Sequence, residues 1–301
     1  MADFSLSLSR PTPYHARAKG NPSMIDLHCH STFSDGSFTP EQLADKADAI
    51  GLAALALTDH DTLAGLARFE AAAASHAFRA VPGIEISVDC PSGVMHMLGY
   101  WMDPADAELN RQLEWVRDGR SARNREILRK LNELGFAVTE EEVRAKAGED
   151  VVGRPHFAQV MIEKGYVKDK YDAFDNWLGD GKPAYADRPR LTAEVAIDLL
   201  RAAGGVPVLA HPFTLHLGKE SMETLLRSLK DRGLVGMECY YSEHSADLTR
   251  DYLELASRLD LVPTGGSDFH GEASPGVEMG TGMGGLNVPD ETVPALEARR
   301  P

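Results

Sequence analysis

Six times along this chain a short run of apolar, β-prone residues meets a histidine, an aspartate or a glutamate. Ala53–Leu57 runs into Thr58, Asp59, His60 and Asp61, and Val81–Ile84 runs into Glu85. Val94–Leu98 carries His96 within it, Val206–Ala210 stops at His211, and Leu261–Thr264 leads through two glycines to Asp268 and His270. The apolar start Met24-Ile25 leads in the same way into Asp26-Leu27-His28-Cys29-His30, with Asp35 close behind. Helical patterns separate the runs, and that rhythm reads as βα units around a parallel sheet. Side chains alternate across a strand, so His28 and His30 project to one face and Cys29 packs on the other. In βα barrels the strand ends at one mouth carry the chemistry. Any one of these residues alone reads equally well as structural, but together they read as a site.

Between the runs the punctuation is consistent. Thr39-Pro40-Glu41-Gln42 predicts a helix start, with Thr39 as N-cap, Pro40 at the first helical position and Gln42 closing a capping box. That helix should run to about Ile50, where Gly51 stops it. From Pro104 to about Asp187 no strand is evident; helical periodicity is expected over 109–134, 140–146, 155–164 and 170–178. The βα rhythm resumes with a helix from Leu191 through Ala203, the run Val206–Ala210, Gly236–Tyr241 and Leu261–Gly265, with Ser245–Leu259 helical between the last two. The expected organisation is therefore a barrel built from 24–103 and 188–301, an all-helical insertion over 104–187, and a disordered extension over 1–23.

Composition removes several alternatives. The net charge of −15 argues against indiscriminate binding to nucleic-acid backbones, which needs Lys and Arg coverage. It leaves room for a small phosphorylated substrate, because bound metal ions reverse the local field. No apolar stretch approaches the ~20 residues of a membrane span, and the first 23 residues lack the apolar core of a secretory signal. Three cysteines, Cys29, Cys90 and Cys239, form no Cys-X-X-Cys pair; an odd, sparse count fits a reducing cytoplasm with no disulfide partner.

The ordered motifs Asp26-Leu-His-Cys-His30, Ser34-Asp35-Gly36, Leu57-Thr-Asp-His-Asp61, Gly83-Ile-Glu85, Gly153-Arg-Pro-His156, Ala210-His-Pro212 and Gly266-Ser-Asp-Phe-His270 resemble the PHP (polymerase and histidinol phosphatase) family. The likeness spans 24–285 and is strongest to stand-alone bacterial phosphoesterases acting on nucleotides. It implies an α/β fold, a distorted seven-stranded βα (TIM-like) barrel, with two or three divalent metals (Mn, Zn or Fe) at its mouth. It also implies a division of ligands: His28, His30, Glu85 and Asp268 for one metal; Glu85 as a bridge with His96 and His156 for a second; Asp35, His60 and His270 for a third. Many relatives carry a histidine where this chain has Asp35, which makes the third site more oxygen-liganded. Independently of the family, a set of imidazoles and carboxylates with no Cys cluster is wrong for a closed structural zinc and suits clustered catalytic metals. Metals about 3.5–4 Å apart clamp the attacking and leaving oxygens of an in-line displacement, with a metal-bound hydroxide as nucleophile.

A phosphate on such metals needs outer contacts. Arg154, at a helix start beside His156, can converge on phosphoryl oxygens with the free N–H groups there. His211 either contacts phosphate, protonates the leaving alkoxide as general acid, or supports a ligand from behind. Lys182, Tyr185 and His244 resemble family positions facing the cleft. The expected function is metal-dependent hydrolysis of phosphate monoesters of small nucleotides, such as a nucleoside 3′,5′-bisphosphate, or of short RNA or DNA ends. The alternatives are a broad or histidinol-phosphate-type phosphomonoesterase and a degenerate metal-binding module without catalysis. A metal-dependent amidohydrolase is disfavoured, because no lysine stands at a strand end.

Overall fold

The computed structural model describes residues 24–90, 92–148 and 151–301, so the extension expected over 1–23 lies outside the described residues. Seven strands form one continuous path: β1 (Ile25–Asp26), β2 (Ala54–Leu57), β3 (Arg79–Asp89), β4 (Met95–Tyr100), β6 (Val206–Leu209), β7 (Gly236–Tyr241) and β8 (Val262–Gly266). β5 (Leu191–Thr192) pairs off that path with the end of β3. The path closes on itself where Leu27 N–H donates to Gly265 O, Asp268 N–H to His28 O and His30 N–H to Phe269 O. The seven-stranded barrel expected from the sequence is therefore present, and its distortion has a source. β4 runs antiparallel to both β3 and β6. Only a few residues join β3 to β4, too few for a crossover helix, so the chain must turn straight back.

The helices are α1 (Pro40–Ile50), α2 (Leu66–Ala73), α3 (Ala107–Glu133), α4 (Glu140–Lys146), α5 (Arg154–Glu163), α6 (Lys170–Ala173), α7 (Ala193–Ala202), α8 (Lys219–Arg232), α9 (Ala246–Arg258) and α10 (Thr292–Glu297). α1 shows the predicted start: Thr39 Oγ1 accepts Gln42 N–H, the Gln42 side chain accepts Thr39 N–H, and Gly51 ends the helix with φ 76°. The expected helix from Leu191 begins two residues later, because Leu191 and Thr192 pair with Val88 and Asp89.

Strand alternation sorts the core. Leu55 and Leu57 pack with helix residues such as Leu43, Ala47 and Phe69, while Ala54 and Ala56 face Val81, Val208 and Tyr100 on the opposite side of the sheet. Over 107–178 the regular elements among the described residues are helices and one π-helical turn, Phe174–Leu178. Their apolar side chains, among them Ile127, Leu131, Phe157 and Met161, make a third cluster of their own. Among the described residues, no helix is long and apolar enough to cross a membrane.

Closure of the barrel requires a close approach at one point. A Cβ at Gly266 would lie 2.4 Å from both the Cβ and the backbone N of His28. Glycine there lets the segment after β8 run against the His28–His30 segment.

Candidate metal centre

Three groups of ligand atoms converge at the barrel mouth. His28 Nε2 stands 3.4 Å from Glu85 Oε2 and 3.3 Å from Asp268 Oδ1, and His30 Nε2 stands 3.2 Å from each of the same oxygens. The other face of Glu85 meets a second set: His60 Nδ1 at 2.9 Å from Oε2, with His96 Nδ1 at 2.8 Å and His211 Nε2 at 3.0 Å from Oε1. Asp35 gathers a third, with His270 Nε2 at 3.2 Å and His60 Nε2 and His30 Nδ1 each at 3.8 Å. The sets interlock, since Glu85, His30 and His60 each serve two of the three groups whose ligand atoms fall within 4.8 Å of one another.

His28 Nε2, His30 Nε2, Asp35 Oδ1, His60 Nδ1, Glu85 Oε2 and Asp268 Oδ1 are all buried and, among the described residues, make no hydrogen bond. Buried polar atoms are nearly always partnered, so this concentration of orphans at one point fits divalent cations. The outer atoms of the same rings are engaged. His28 Nδ1–H donates to Glu238 Oε1 at 3.1 Å, and His270 Nδ1–H to the Asp268 carbonyl at 2.8 Å. His30 Nδ1–H donates to Ser34 Oγ at 3.2 Å, which in turn donates to Asp59 Oδ1 at 2.6 Å. Tyr241 OH donates to Asp268 Oδ2 at 2.7 Å. Each bond leaves a bare nitrogen or oxygen turned inward, the arrangement that orients metal ligands from behind.

The electrostatics agree. Burial opposes charge throughout, yet His60, His96 and His28 hold Glu85 well below the usual carboxylate range, and His28, His270 and His30 do the same for Asp268. Against the same burial, the nearby carboxylates of Asp268 and Glu85 push His30 up to about 10. Carboxylates this far down stay ionised at neutral pH and can hold a cation. Asp268 sits at φ 56° and His211 at φ 21°, sparsely populated backbone of the kind that clusters at functional sites.

Not every expected residue joins the cluster. His156 is buried at the start of α5, where its Nδ1 accepts Gly153 N–H at 3.0 Å, and it stands outside the three groups. That bond occupies one ring nitrogen and leaves the proton on the other. Arg154 lines the cleft with its guanidinium 5.6 Å above both the Phe174 and Tyr185 rings, while Nη1 donates to Leu178 O. Tyr185 lines the cleft too and donates to Asp187. Lys182 is exposed and outside the cleft lining; His244 lies behind Tyr241, its Nδ1 bonded to Cys239 O.

Sequence reasoning missed two sets of residues. Glu238, with no exposure, reaches His28 through one oxygen and accepts His211 N–H at 2.7 Å through the other. Its only signal was a carboxylate inside the apolar run Gly236–Tyr241. Replacing Glu238 by glutamine is expected to lower metal affinity by roughly 10–100-fold, read from a titration in metal buffers; unchanged affinity would leave the residue without a role at the metals. The second set is basic. Arg120, Arg123, Arg188 and Arg190 line a cleft of about 480 Å³ together with Asp35, His60, His96 and Arg154. Arg120 and Arg123 occupy the buried stripe of α3 in series with Leu113, Val116, Ile127 and Leu131, where a simple amphipathic helix would carry apolar residues.

Comparison with known proteins finds relatives over most of the chain. A family model described as "PHP domain" matches residues 26–174. The chain is 35% identical, over 85% of its length and 90% of the relative's, to a 3′,5′-nucleoside bisphosphate phosphatase of Chromobacterium violaceum. It is 32% identical to a 5′-3′ exoribonuclease of Haemophilus influenzae, over 90% of this chain and 97% of that one. Among solved structures, a protein of Bifidobacterium adolescentis described as a metal-dependent phosphoesterase superposes with a TM-score of 0.83 at 29% identity, covering 93% of this chain and 98% of the other.

Proposed function

The chain belongs to the PHP family, and within it we propose that this protein is a metal-dependent phosphoesterase releasing phosphate from small nucleotides, a nucleoside 3′,5′-bisphosphate or the end of a short oligonucleotide. The observation that carries the reading is the interlocked set of orphaned imidazole nitrogens and carboxylate oxygens around Glu85. His28, His30, Glu85 and Asp268 would hold one metal, His60, His96 and Glu85 a second, and Asp35, His60 and His270 a third; Mn, Zn and Fe all suit this donor set. Bound there, divalent metals supply Lewis acidity and a nucleophile at neutral pH.

The chain's own residues supply the rest. Glu85 and Asp268 keep the imidazoles in place through the distances given above. His211 Nε2, 3.0 Å from Glu85 Oε1, is held on its far side by Thr214 Oγ1 at 3.1 Å. Burial lowers the proton affinity of His211, but the hydrogen bond to Glu85 together with the charges of Glu85, Asp268 and Glu238 outweighs it and raises the ring above its ordinary value. An imidazole that keeps its proton near neutrality suits a general acid for the leaving alkoxide. The cytoplasmic location expected from the sparse cysteines remains part of this reading.

A hydrolysis panel tests it. The full chain loaded with Mn²⁺ or Zn²⁺ is expected to release phosphate from adenosine 3′,5′-bisphosphate and from 5′-phosphorylated oligonucleotides faster than from histidinol phosphate. Absence of release from every ester would overturn the enzyme reading, and a preference for histidinol phosphate would overturn the nucleotide assignment.

A further inference from the structure

His28 and His30 face the same two carboxylates, yet their outer nitrogens are held in different ways. His28 Nδ1 reaches a carboxylate directly, Glu238 Oε1 at 3.1 Å. His30 Nδ1 reaches one only through a hydroxyl, 3.2 Å to Ser34 Oγ and then 2.6 Å from there to Asp59 Oδ1. His30, Ser34 and Asp59 are all buried, so each proton along the chain has few partners to choose from. One backbone group fixes the direction. Asp59 Oδ1 already accepts Ser31 N–H at 2.8 Å, while Oδ2 accepts Ser31 Oγ–H at 2.6 Å. An N–H can only donate, so Oδ1 is an acceptor there, and the Ser34 hydroxyl gives it its single proton. Ser34 Oγ then has only lone pairs to offer His30. The ring proton therefore stays on Nδ1, and Nε2 is left bare.

The same hydroxyl keeps two ligand groups apart. His30 Nδ1 lies 3.8 Å from Asp35 Oδ1, beyond a hydrogen bond. Asp35 Oδ1 is one of the buried orphans, and it belongs to the third group. Without Ser34 Oγ as acceptor, the Nδ1–H has this oxygen as its next partner and would draw it away from a cation. The turn that carries both residues is tight. Ser34 N–H and Gly36 N–H both donate to Ser31 O, at 3.1 and 3.0 Å, and a Cβ at Gly36 would lie 2.1 Å from His30 O. Asp59 is itself tied to β3, because its carbonyl accepts Glu85 N–H at 3.2 Å.

From this arrangement we infer that Ser34 and Asp59 are positioning residues that lock the His30 proton on Nδ1, so that His30 serves the first metal while Asp35 stays free for the third. Neither residue touches a metal or the substrate. The inference rests on the metal centre proposed above and deepens it. His28 and His30 are equivalent in the sequence motif but not in their support: one leans on a carboxylate, the other on a serine whose direction a carboxylate sets. Loss of that one hydroxyl weakens two sites together, the first through His30 and the third through Asp35.

Ser34→Ala tests this, with Ser34→Thr as the conservative variant, in a titration of the metal-free protein with buffered Co²⁺ followed by visible absorption. Ser34→Ala is expected to bind Co²⁺ about 10–100-fold more weakly and to shift its absorption bands, which report ligand geometry. Threonine keeps the hydroxyl and should restore most of both. Asp59→Asn keeps an oxygen that accepts from Ser34, so it should lose less affinity than Ser34→Ala. Parental affinity in Ser34→Ala would overturn the relay. So would a loss of affinity with unchanged bands, which a loosened fold alone would give. An Asp59→Asn variant weaker than Ser34→Ala would also overturn it, because charge and not hydrogen-bond direction would then be at work. A parent protein that takes up no Co²⁺ would overturn the metal centre itself, and the relay with it. Phosphate release plays no part in this measurement, so the phosphoesterase reading is decided separately. Ser34→Cys, with a weakly accepting thiol, repeats the titration should Ser34→Ala fail to fold.

Discussion

Glu85→Gln is expected to abolish most turnover, by roughly 10³-fold or more in kcat, and to leave the purified protein depleted of metal. The carboxylate is 1% exposed, and its two oxygens face five imidazoles: His28, His30 and His60 around Oε2, His96 and His211 around Oε1. Glutamine keeps the shape and removes the charge that the first two sets share. It also turns an amide N–H₂ toward nitrogens whose lone pairs should face a cation, so one substitution damages two sites. Glu85→Asp, which keeps the charge on a shorter arm, should retain more metal than glutamine. Elemental analysis together with phosphate release checks the result. A glutamine variant with full metal content and parental turnover would remove Glu85 from the centre.

How much of this was legible in advance varies with the physics of each element. The histidines and carboxylates at the strand ends were legible because alternation and strand termination are local properties of sequence. His28 and His30 share a face although the formal strand ends at Asp26, because the bridge from Cys29 to Phe269 prolongs the extended backbone. Cys29 is fully buried on the other side, its thiol donating to Ala56 O at 2.9 Å. The reversed direction of β4 was not legible, because apolar runs carry no information about strand polarity. The arginines of the cleft were missed for a different reason. Arg188 lies in an irregular segment whose course no periodicity describes, and Arg120 meets it only through Asp61, some sixty positions earlier in the chain. His156 shows the converse: a motif position recognisable by sequence alone, whose ring is turned to its own helix start.

Asp61 joins these levels, and its replacement is the second large effect expected. Asp61 is fully buried at φ 55°, one residue beyond His60. Oδ2 accepts from Arg120 and Arg188, and Oδ1 accepts Ser87 N–H at 2.8 Å, fixing the carboxylate to β3. Asp61→Asn leaves two buried guanidiniums without their anion, a change that costs about 3–5 kcal/mol. At about 2–4 °C per kcal/mol for a chain of this size, melting should fall by roughly 6–20 °C. The sign with pH follows from the side chain. Burial raises its carboxyl, but Arg120 and Arg188 outweigh burial and hold it far below the ordinary 3.8. A group depressed in the folded state contributes stability that is complete above its unfolded value and is lost as pH falls through the folded one. The deficit of the asparagine variant should therefore be constant across neutral pH and shrink only in strong acid. A variant that melts with the parent protein would mean that the guanidiniums are not held by this carboxylate.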